Sequence, residues 1–470
     1  MRYLHFLNQK GCRNHQLQRQ WLHMHNTFLK DAQRSQKFVQ SFTTRAKDGI
    51  NDDREGKDFV RLFASCLPGL EPILQQELIS LGFSTSSLRS GGGVSFSIPK
   101  QDAKKEISRC HLHLGTASHL YLRVGQPFTA KGMKELYQKV ASLNFWKTYI
   151  HQSIPKINIR VKATKSRLYH TKGIAERVQQ GIDKALNVSS FPKKQLRKGS
   201  NHSDTDKSQD TLHILVRIHR DQVQLSMDTS TTPLHKRGYR LEGSKAPLRE
   251  DLAFALVYPY CHNNEESCIL IDPFCGSGTI LIEGGAMLYG LPPGRLRPPP
   301  LVGSTLQDDS EWHKLVRSET LASNSLQQEK RIQILGLDRN KGAIDIAKRN
   351  AERAGILNLI NLEQSALRTS NWFHHLKAKE YNCIVVATNP PFGHRIRTSN
   401  QQKSLLPLYQ SLGYKILGLE TQSMVHVSIL AHDVRLTRQT AIPNLKIQFS
   451  SKHGGLNVFA LGTTIGYDDV

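Results

Sequence analysis

The stretch CILIDPFCGSGTILIE, residues 268–283, decides the fold class. An apolar run ends in the acid Asp272, a turn with Gly276 and Gly278 follows, and an apolar helical pattern begins after the turn. A strand, a glycine turn and a helix in this order are typical of a doubly wound α/β sheet, which binds ligands beyond the carboxyl ends of its strands. The two glycines would let a ligand approach the backbone, and Asp272 would pair with a cationic ligand group.

The residues of this turn favour one of three nucleotide-like ligands. A phosphate-binding loop needs a lysine after the glycines, and none is present. A dinucleotide fingerprint needs GxGxxG, but Gly276-Ser277-Gly278 is followed by Thr279-Ile280-Leu281. S-adenosylmethionine has an amino-acid end and no phosphate, so it fits an acid beside a glycine turn best. The remaining alternative is a structural strand-to-helix turn without a ligand.

A second strand is predicted at residues 332–337, and it ends at Asp338. A carboxylate at the end of this strand can accept hydrogen bonds from two ribose hydroxyls. The same acid could instead cap the helix predicted from Ala343 to Ala354, and both roles are compatible.

The residues that orient the target amine are predicted in the sequence NPPF, residues 389–392, which follows an apolar strand at 381–388. Two prolines remove two N–H donors, so nearby carbonyls face outward as acceptors. The Asn389 amide oxygen and the Pro390 carbonyl can each accept one N–H of an exocyclic amine, and Phe392 offers a face for a stacked base. Methyl transfer needs mainly positioning, and no triad or metal cluster of convincing spacing is present. The alternative is a rigid turn capped by Asn389.

Composition and charge limit the function classes. The chain has 470 residues with a formal net charge of +25, which indicates a polyanionic partner, most plausibly nucleic acid. No apolar stretch approaches the roughly 18–20 residues of a membrane span. The 7 cysteines include no CxxC pair, so a zinc site of the usual spacing is not expected.

The chain is organised in distinct segments. Residues 1–57 begin with an Arg-rich, acid-poor stretch, which is typical of a mitochondrial or plastid transit peptide or of a basic arm that touches RNA; without targeting the protein would be cytoplasmic. Residues 59–228 alternate strand and helix patterns and predict an α+β unit, including a hairpin at 211–219 and 222–228. From residue 246 onward, helix–strand alternation predicts a mostly parallel α/β sheet.

These motifs together carry a resemblance to a known family. The chain resembles the THUMP-domain guanine-N2 RNA methyltransferases, most closely the bacterial type that modifies large-subunit ribosomal RNA, in LHKRGYR (234–240), APLRE (246–250), DPFCGSGTILIE (272–283), GLDRN (336–340) and NPPFG (389–393). The resemblance implies a THUMP-like α+β part followed by a Rossmann-like class I methyltransferase domain. The implied segments are a basic arm (1–57), a ferredoxin-like piece (58–104), a THUMP-like RNA-binding domain (105–230) and a methyltransferase domain (231–470).

The resemblance also implies roles for individual residues. The cofactor, S-adenosylmethionine, would contact Asp272, Phe274, Gly276, Gly278, Thr279 and Asp338, and the target base would contact Asn389, Pro390, Pro391 and Phe392. The family usually has an acid after the third strand that holds the adenine amine, and this chain has Ala366 there. Ser365 or a backbone group is predicted to substitute for it.

A basic segment at residues 162–172 predicts an RNA phosphate contact, because Tyr169 and His170 are interleaved with its charges. A solvated charged loop is the alternative. The predicted RNA contacts are Lys162, Lys165, Arg167, Lys172, Arg237 and Arg240. The expected partner is therefore RNA, with no membrane and no metal.

The sequence supports several functions of different classes. The first is methylation of guanine N2 in structured RNA, most plausibly large-subunit ribosomal RNA. The same catalysis on tRNA is the second, and a non-catalytic RNA-binding assembly factor, suggested by Ala366, is the third. Methylation of DNA adenine or of a protein glutamine is a fourth alternative, since similar loops serve those reactions.

Overall fold

The first of two sheets is built from strands in the N-terminal half of the chain. Its strands are β1 (Phe59–Cys66), β2 (Gly93–Pro99), β3 (Ala117–Thr129), β4 (Lys156–Thr164), β5 (Thr211–His219) and β6 (Gln222–Asp228). They lie in the order β2-β1-β3-β6-β5-β4. The β1–β3, β3–β6 and β5–β6 pairs are antiparallel, and the β4–β5 pair is parallel. The helices of this half are α1 (Glu71–Ser80), α2 (Ala103–His113), α3 (Met133–Ala141), α4 (Phe145–Tyr149) and α5 (Thr171–Leu186).

This computed structural model describes part of the chain. The described residues are 58–85, 92–151, 156–188, 211–241, 248–262, 267–326, 330–370, 381–391, 399–419 and 423–466. The predicted basic arm at 1–57 and the predicted base contact Phe392 lie outside these ranges. From Val60 onward the chain forms one unit.

Strand alternation gives the first sheet two different faces. Leu62, Leu122 and Ile214 point toward the helices and are at most 1% exposed. They join one core with Leu74 of α1 and Val178 of α5. Because side chains alternate along a strand, the intervening residues lie on the opposite face of the sheet.

Strand β3 joins the two predicted N-terminal domains. It pairs with β1 on one side and with β6 on the other, so one sheet runs through residues 59–228. A boundary after residue 104 would cut α2. The THUMP-like assignment of residues 105–230 stays a prediction.

The second sheet forms the C-terminal half. Its strands are β7 (Ser267–Asp272), β8 (Arg331–Asp338), β9 (Ile360–Gln364), β10 (Cys383–Thr388), β11 (Met424–Ala431), β12 (Lys446–His453) and β13 (Leu456–Ile465). The order is β12-β13-β11-β10-β7-β8-β9, parallel from β11 to β9 and antiparallel where β13 joins β11 and β12. This confirms the mostly parallel α/β sheet predicted from the sequence.

The strand order places a ligand site at β7. From β7 the chain continues outward to β8 and β9 on one side, whereas β10 lies on the other side. Such a reversal opens a crevice at the carboxyl ends of the two central strands. The helices of this half are α6 (Glu250–Cys261), α7 (Thr279–Leu288), α8 (Asp309–Leu326), α9 (Lys341–Arg353), α10 (Ser399–Leu417) and α11 (Val434–Arg438).

Two buried arginines from the C-terminal half bind the turn that follows α2. Arg237 donates to the Gly115 carbonyl at 2.6 Å, and Arg297 donates to the Leu114 carbonyl at 3.0 Å and to the His111 carbonyl. Both side chains are at most 6% exposed. Buried carbonyls need such donors, so these bonds tie the first sheet to the second half of the chain.

The described residues lack two further features. No helix in the described ranges is long and apolar enough to cross a membrane. The described part of the chain also holds no group of three or more His, Cys, Asp or Glu side chains arranged for a metal ion.

Candidate active site

The two predicted functional loops lie side by side. β7 and β10 are parallel neighbours, with Ile271 opposite Val386. The loops that leave these strands therefore start at the same edge of the sheet. The Thr388 hydroxyl donates to Oδ1 of Asp272 at 2.6 Å, which joins the last residue of β10 to the last residue of β7. The cofactor loop and the NPP loop thus share one crevice.

Asp272 is a buried carboxylate at the end of β7. Its side chain is 1% exposed, and Oδ1 also accepts the Phe274 backbone N–H at 3.0 Å. Burial raises the pKa of Asp272 to about 7; the bonds from Thr388 and Phe274 oppose this shift, and the nearby charge of Asp338 adds to it. A cationic group beside Asp272 would favour its ionised form.

The glycine turn is shaped by backbone that only glycine adopts easily. Gly276 has φ +53° and Gly278 has φ +80°, both in the left-handed region. A Cβ on Gly276 would meet no atom within 4 Å, whereas one on Gly278 would lie 3.1 Å from the Cβ of Ala347. Gly278 therefore allows α9 to pack closely, and Gly276 faces open space where a ligand can approach the backbone.

Asp338 reaches from the end of β8 to this turn. Its Oδ2 accepts the Gly276 N–H at 3.0 Å, and its Oδ1 accepts the Asn340 N–H at 2.8 Å. Asn340, whose side chain accepts from the Gly342 N–H, is the N-cap of α9. The capping role considered for Asp338 is therefore wrong, because the helix begins two residues later than that role requires.

The predicted adenine end of the cofactor site lies at the end of β9. The Ser365 N–H donates to the Asp338 carbonyl at 3.1 Å, so Ser365 adjoins the β8 edge of the crevice. Its hydroxyl lies 3.4 Å from the Ala366 carbonyl, and Ala366 is exposed. The cofactor contact of Ser365 stays a prediction.

Asn389, the residue that follows β10, has a side-chain oxygen without a hydrogen-bond partner in the described part of the chain. Its Oδ1 is buried and has no hydrogen-bond partner among the described residues. Pro390 next to it is buried and Pro391 is exposed. A buried amide oxygen without a donor is costly, so this atom is prepared to accept a bond from a ligand.

Polar side chains from three helices support the loop. The Asn350 side chain of α9 donates to the Ser277 carbonyl at 3.0 Å. Arg240 donates at 2.7 Å to the hydroxyl of Thr279, the first residue of α7, and lies 3.6 Å from a carboxylate oxygen of Glu250. These bonds hold the glycine turn against the start of α7.

The predicted RNA contacts of two arginines are corrected by these positions. Arg237 is 2% exposed and pairs at 3.2 Å with Glu283, which also accepts from the Tyr239 hydroxyl at 2.9 Å. The guanidinium of Arg240 is held inside the protein by Thr279, Glu250 and the Leu248 carbonyl. The sequence placed this stretch near the cofactor or on RNA phosphate, and the RNA contacts are wrong for both arginines. Local pattern does not show the internal partners Glu283 and Thr279, which lie 46 and 39 positions along the chain.

The other predicted RNA contacts lie at the surface. Lys162 is on β4, the edge strand of the first sheet, and Lys165 and Arg167 follow it. Lys172 lies in the first turn of α5. All four side chains are exposed, as is Tyr169 at 77%. Their RNA contacts stay predictions.

Sequence reasoning missed three residues of this site. In the sequence, Thr388 is only the last β-branched residue of a predicted strand. Its hydrogen-bond partner Asp272 lies 116 positions away, so no local pattern links the two. Glu283 reads as an ordinary polar helix residue, although it is 4% exposed. Asn350 offered a signal, since it is a polar residue on the apolar face of an amphipathic helix.

Comparisons with known proteins agree with this geometry. Residues 237–443 match the family model described as RMKL-like, methyltransferase domain, and residues 61–121 match the RlmL ferredoxin-like domain. Ribosomal RNA large subunit methyltransferase K/L of Vibrio cholerae serotype O1 is 30% identical over 349 residues, covering 74% of this chain and 46% of the relative. This chain spans about half the length of such K/L relatives.

Two further proteins resemble most of the chain. The protein named "Putative RNA methyltransferase YpsC" of Bacillus subtilis (strain 168) is 29% identical over 371 residues, covering 77% of this chain and 86% of YpsC. The crystal structure of SMU.472, a complex with SAH, superposes with a TM-score of 0.67 at 23% identity, covering 86% of this chain and 98% of SMU.472.

The sheet order and the crevice between β7 and β10 define a class I methyltransferase fold. The chain carries the RMKL-like methyltransferase domain, and the RlmL ferredoxin-like domain precedes it.

Proposed function

We propose that this protein transfers a methyl group from S-adenosylmethionine to the exocyclic N2 amine of a guanosine in structured RNA, with large-subunit ribosomal RNA as its substrate. The observation that supports this most directly is the buried, unpartnered Oδ1 of Asn389, next in sequence to the Thr388 that bonds Asp272. An acceptor for an amine and a carboxylate for a cofactor thereby adjoin one another.

The residues around the glycine turn fit the proposed cofactor. Asp272 would pair with the cationic amino-acid end, Asp338 would accept from the ribose hydroxyls, and Gly276 leaves room for the ligand beside the backbone. When bound, S-adenosylmethionine supplies a methyl group on a positively charged sulfur that a nitrogen can attack in line. The SMU.472 complex with SAH, a protein of the same fold, supports this choice.

The NPP loop would orient the amine for the transfer. Asn389 Oδ1 and the Pro390 carbonyl would each accept one N–H, which aims the nitrogen lone pair at the methyl carbon. The C–S bond breaks as the N–C bond forms, and the nitrogen then releases one proton to water. Positioning and fixed acceptors lower the barrier without an ionised nucleophile.

Two observations support RNA as the substrate. The Vibrio cholerae relative is named a ribosomal RNA large subunit methyltransferase, and the Bacillus subtilis relative is named "Putative RNA methyltransferase YpsC". The formal net charge of +25 suits a polyanionic substrate. Specificity for guanine N2 comes from the resemblance in the motif residues alone.

A labelling experiment tests the proposal. Purified protein and its Asn389→Ala variant would be incubated with methyl-labelled S-adenosylmethionine and with separate ribosomal RNA and tRNA fractions from cells lacking the gene. We expect label in N2-methylguanosine of large-subunit RNA from the wild type only. Label in tRNA would favour the tRNA alternative, and label in adenosine would contradict the proposed base. Cofactor binding by titration calorimetry without labelling of either RNA would favour a non-catalytic factor.

A further inference from the structure

The face of the first sheet that points away from the helices carries an arginine cluster. Arg123 of β3, Ser226 of β6, Leu215 of β5 and Arg160 of β4 lie opposite one another in successive strand pairs. Residues opposite each other in neighbouring strands share a face. Their side chains therefore form one row across four strands.

Three more cations extend this row. Lys162 of β4 lies opposite Arg217 of β5, and Arg61 of β1 precedes the paired Leu62 and Leu122. We call this surface the arginine face and define it by Arg61, Arg123, Arg160, Lys162 and Arg217. Lys162 also begins the basic segment that the sequence singled out, so the arginine face continues toward the exposed side chains of Lys165, Arg167 and Lys172.

Acidic residues are scarce at the strand positions of this face. At the positions that alternate onto this face of β1, β3, β4, β5 and β6, Asp228 is the only acid. Its Oδ2 lies 2.8 Å from Nδ1 of His119 rather than beside an arginine. Burial lowers the pKa of Arg123 to about 10, and the charges of Arg217 and Arg61 add to this shift.

Aromatic rings hold the cations in place. The Arg123 guanidinium lies 4.4 Å and the Arg217 guanidinium 5.6 Å from the centroid of the Phe63 ring. Phe63 stacks on Tyr121 at 6.5 Å, and Tyr121 on His119 at 5.6 Å. Arg123 also donates to the Ser226 hydroxyl at 2.9 Å. Guanidinium groups ordered in this way lose little entropy when they bind phosphate in a bidentate manner.

We infer that the arginine face binds the phosphate backbone of the RNA substrate, with the basic segment at 162–172 as its continuation. RNA is the partner because regularly spaced phosphates can neutralise several guanidinium groups at once, and phosphate contacts position a nucleic acid on its protein. The buried bonds of Arg237 and Arg297 to the turn after α2 connect this sheet to the catalytic half. The inference rests on the proposed function for the identity of the RNA.

The test compares two variants of the full-length protein with equal charge loss. The first carries Arg160→Gln, Lys162→Gln and Arg217→Gln. The matched control carries Lys105→Gln, Lys314→Gln and Arg317→Gln, three exposed cations on α2 and α8. Binding of a fluorescein-labelled RNA hairpin with a single-stranded tail would be followed by anisotropy across salt concentrations, without S-adenosylmethionine.

We expect the arginine-face variant to lose on the order of tenfold or more in RNA affinity, with a salt slope smaller by about two to three. The control should stay close to the wild type. A variant with Arg160→Lys and Arg217→Lys keeps the charge but not the guanidinium groups, so it should lose less affinity than the glutamine variant and keep the wild-type salt slope, which separates charge loss from misfolding. Equal losses in the control and the arginine-face variant, or wild-type binding by the latter, would overturn the inference.

The experiments distinguish failure of the proposed function from failure of the surface proposal. If the wild type methylates no guanosine but the arginine-face variant still loses RNA affinity, the surface stands and the catalytic proposal fails. If the variant binds and methylates RNA as the wild type does, the surface proposal fails and catalysis stands. Stronger competition by an acidic polypeptide than by RNA would identify a protein partner instead and contradict the inference.

Discussion

The hydroxyl of Thr388 donates a 2.6 Å hydrogen bond to Oδ1 of Asp272. This bond joins the carboxyl ends of β10 and β7, which are parallel neighbours, and so connects the predicted base loop to the predicted cofactor loop. Both residues are at most 1% exposed, so water does not compete for the bond. The carboxylate of Asp272 is thereby oriented by the residue that precedes Asn389.

Replacing Thr388 with valine tests this orienting role. The change keeps the shape of the side chain and removes the donor to Asp272. A hydrogen bond to a charged group contributes roughly 1.5–3 kcal/mol, so we expect affinity for S-adenosylmethionine to fall about 10- to 100-fold. Titration calorimetry measures the change. Thr388→Ser keeps the hydroxyl and should recover most of the affinity; equal affinity of the valine variant and the wild type would contradict the role.

Cofactor affinity should depend on pH through Asp272. Burial raises the pKa of this carboxyl to about 7, so without ligand it is largely protonated in mildly acidic solution. Only the ionised form pairs with an ammonium group, so affinity should rise roughly tenfold between about pH 6 and about pH 8. Calorimetric titrations over this range measure it, and Asp272→Asn should bind weakly with a flatter profile.

The same shift predicts the sign of a stability effect. Because the folded-state pKa of Asp272 lies above its ordinary value, its contribution favours the folded protein at low pH and is lost as pH rises through about 7. A bound cation would favour the ionised form and offset that loss. The increase in melting temperature caused by S-adenosylmethionine should therefore be larger at about pH 8 than at about pH 6. An increase of the same size at both pH values would argue against pairing with Asp272.

The two glycines of the turn should respond differently to alanine. Both have positive φ, so each substitution carries a backbone cost of about 1–2 kcal/mol. Gly278→Ala adds a close approach to Ala347, whereas Gly276→Ala places its methyl in open space. We expect Gly278→Ala to lower the free energy of unfolding more, and Gly276→Ala to weaken cofactor binding at a smaller stability cost. Urea unfolding and calorimetry on both variants separate these effects, and identical behaviour would contradict the assignment.

Loss of the buried Arg237 charge should lower the free energy of unfolding. Arg237 pairs with Glu283 in a site that excludes water, so Arg237→Gln leaves a buried carboxylate without its charge partner. Such a loss costs about 3–5 kcal/mol of unfolding free energy. The salt dependence of RNA binding should stay unchanged in the protein that remains folded. A lower salt slope with normal stability would restore the RNA contact first predicted for Arg237.

Local patterns predicted the elements around the site well. The hairpin expected at 211–219 and 222–228 matches β5 and β6, because Arg220 and Asp221 adopt the positive φ that a tight two-residue turn requires. The strand that ends at Asp272 is also confirmed. A continuous apolar run before a glycine turn is typical of a buried strand. The strand expected from residue 381 begins at Cys383, a difference of two residues at its polar end.

Side-chain partners could not be predicted in this way. The bond between Thr388 and Asp272 depends on β10 lying beside β7, and the pairing of Arg237 depends on how α7 packs against the chain before it. Both relationships are set by tertiary structure rather than by local periodicity. The arginine face escaped notice for the same reason, because its five cations come from four strands that are distant in sequence.

Methyl transfer by an Asn389→Ala variant that still binds the cofactor tests the central claim most directly. The variant and the wild type would be compared by initial rates of N2-methylguanosine formation on unmodified large-subunit ribosomal RNA, after calorimetry has shown similar affinities for S-adenosylmethionine. The account predicts a rate lower by roughly 10²–10³-fold, because the acceptor that orients the amine is lost. A variant that forms N2-methylguanosine at the wild-type rate would contradict the claim.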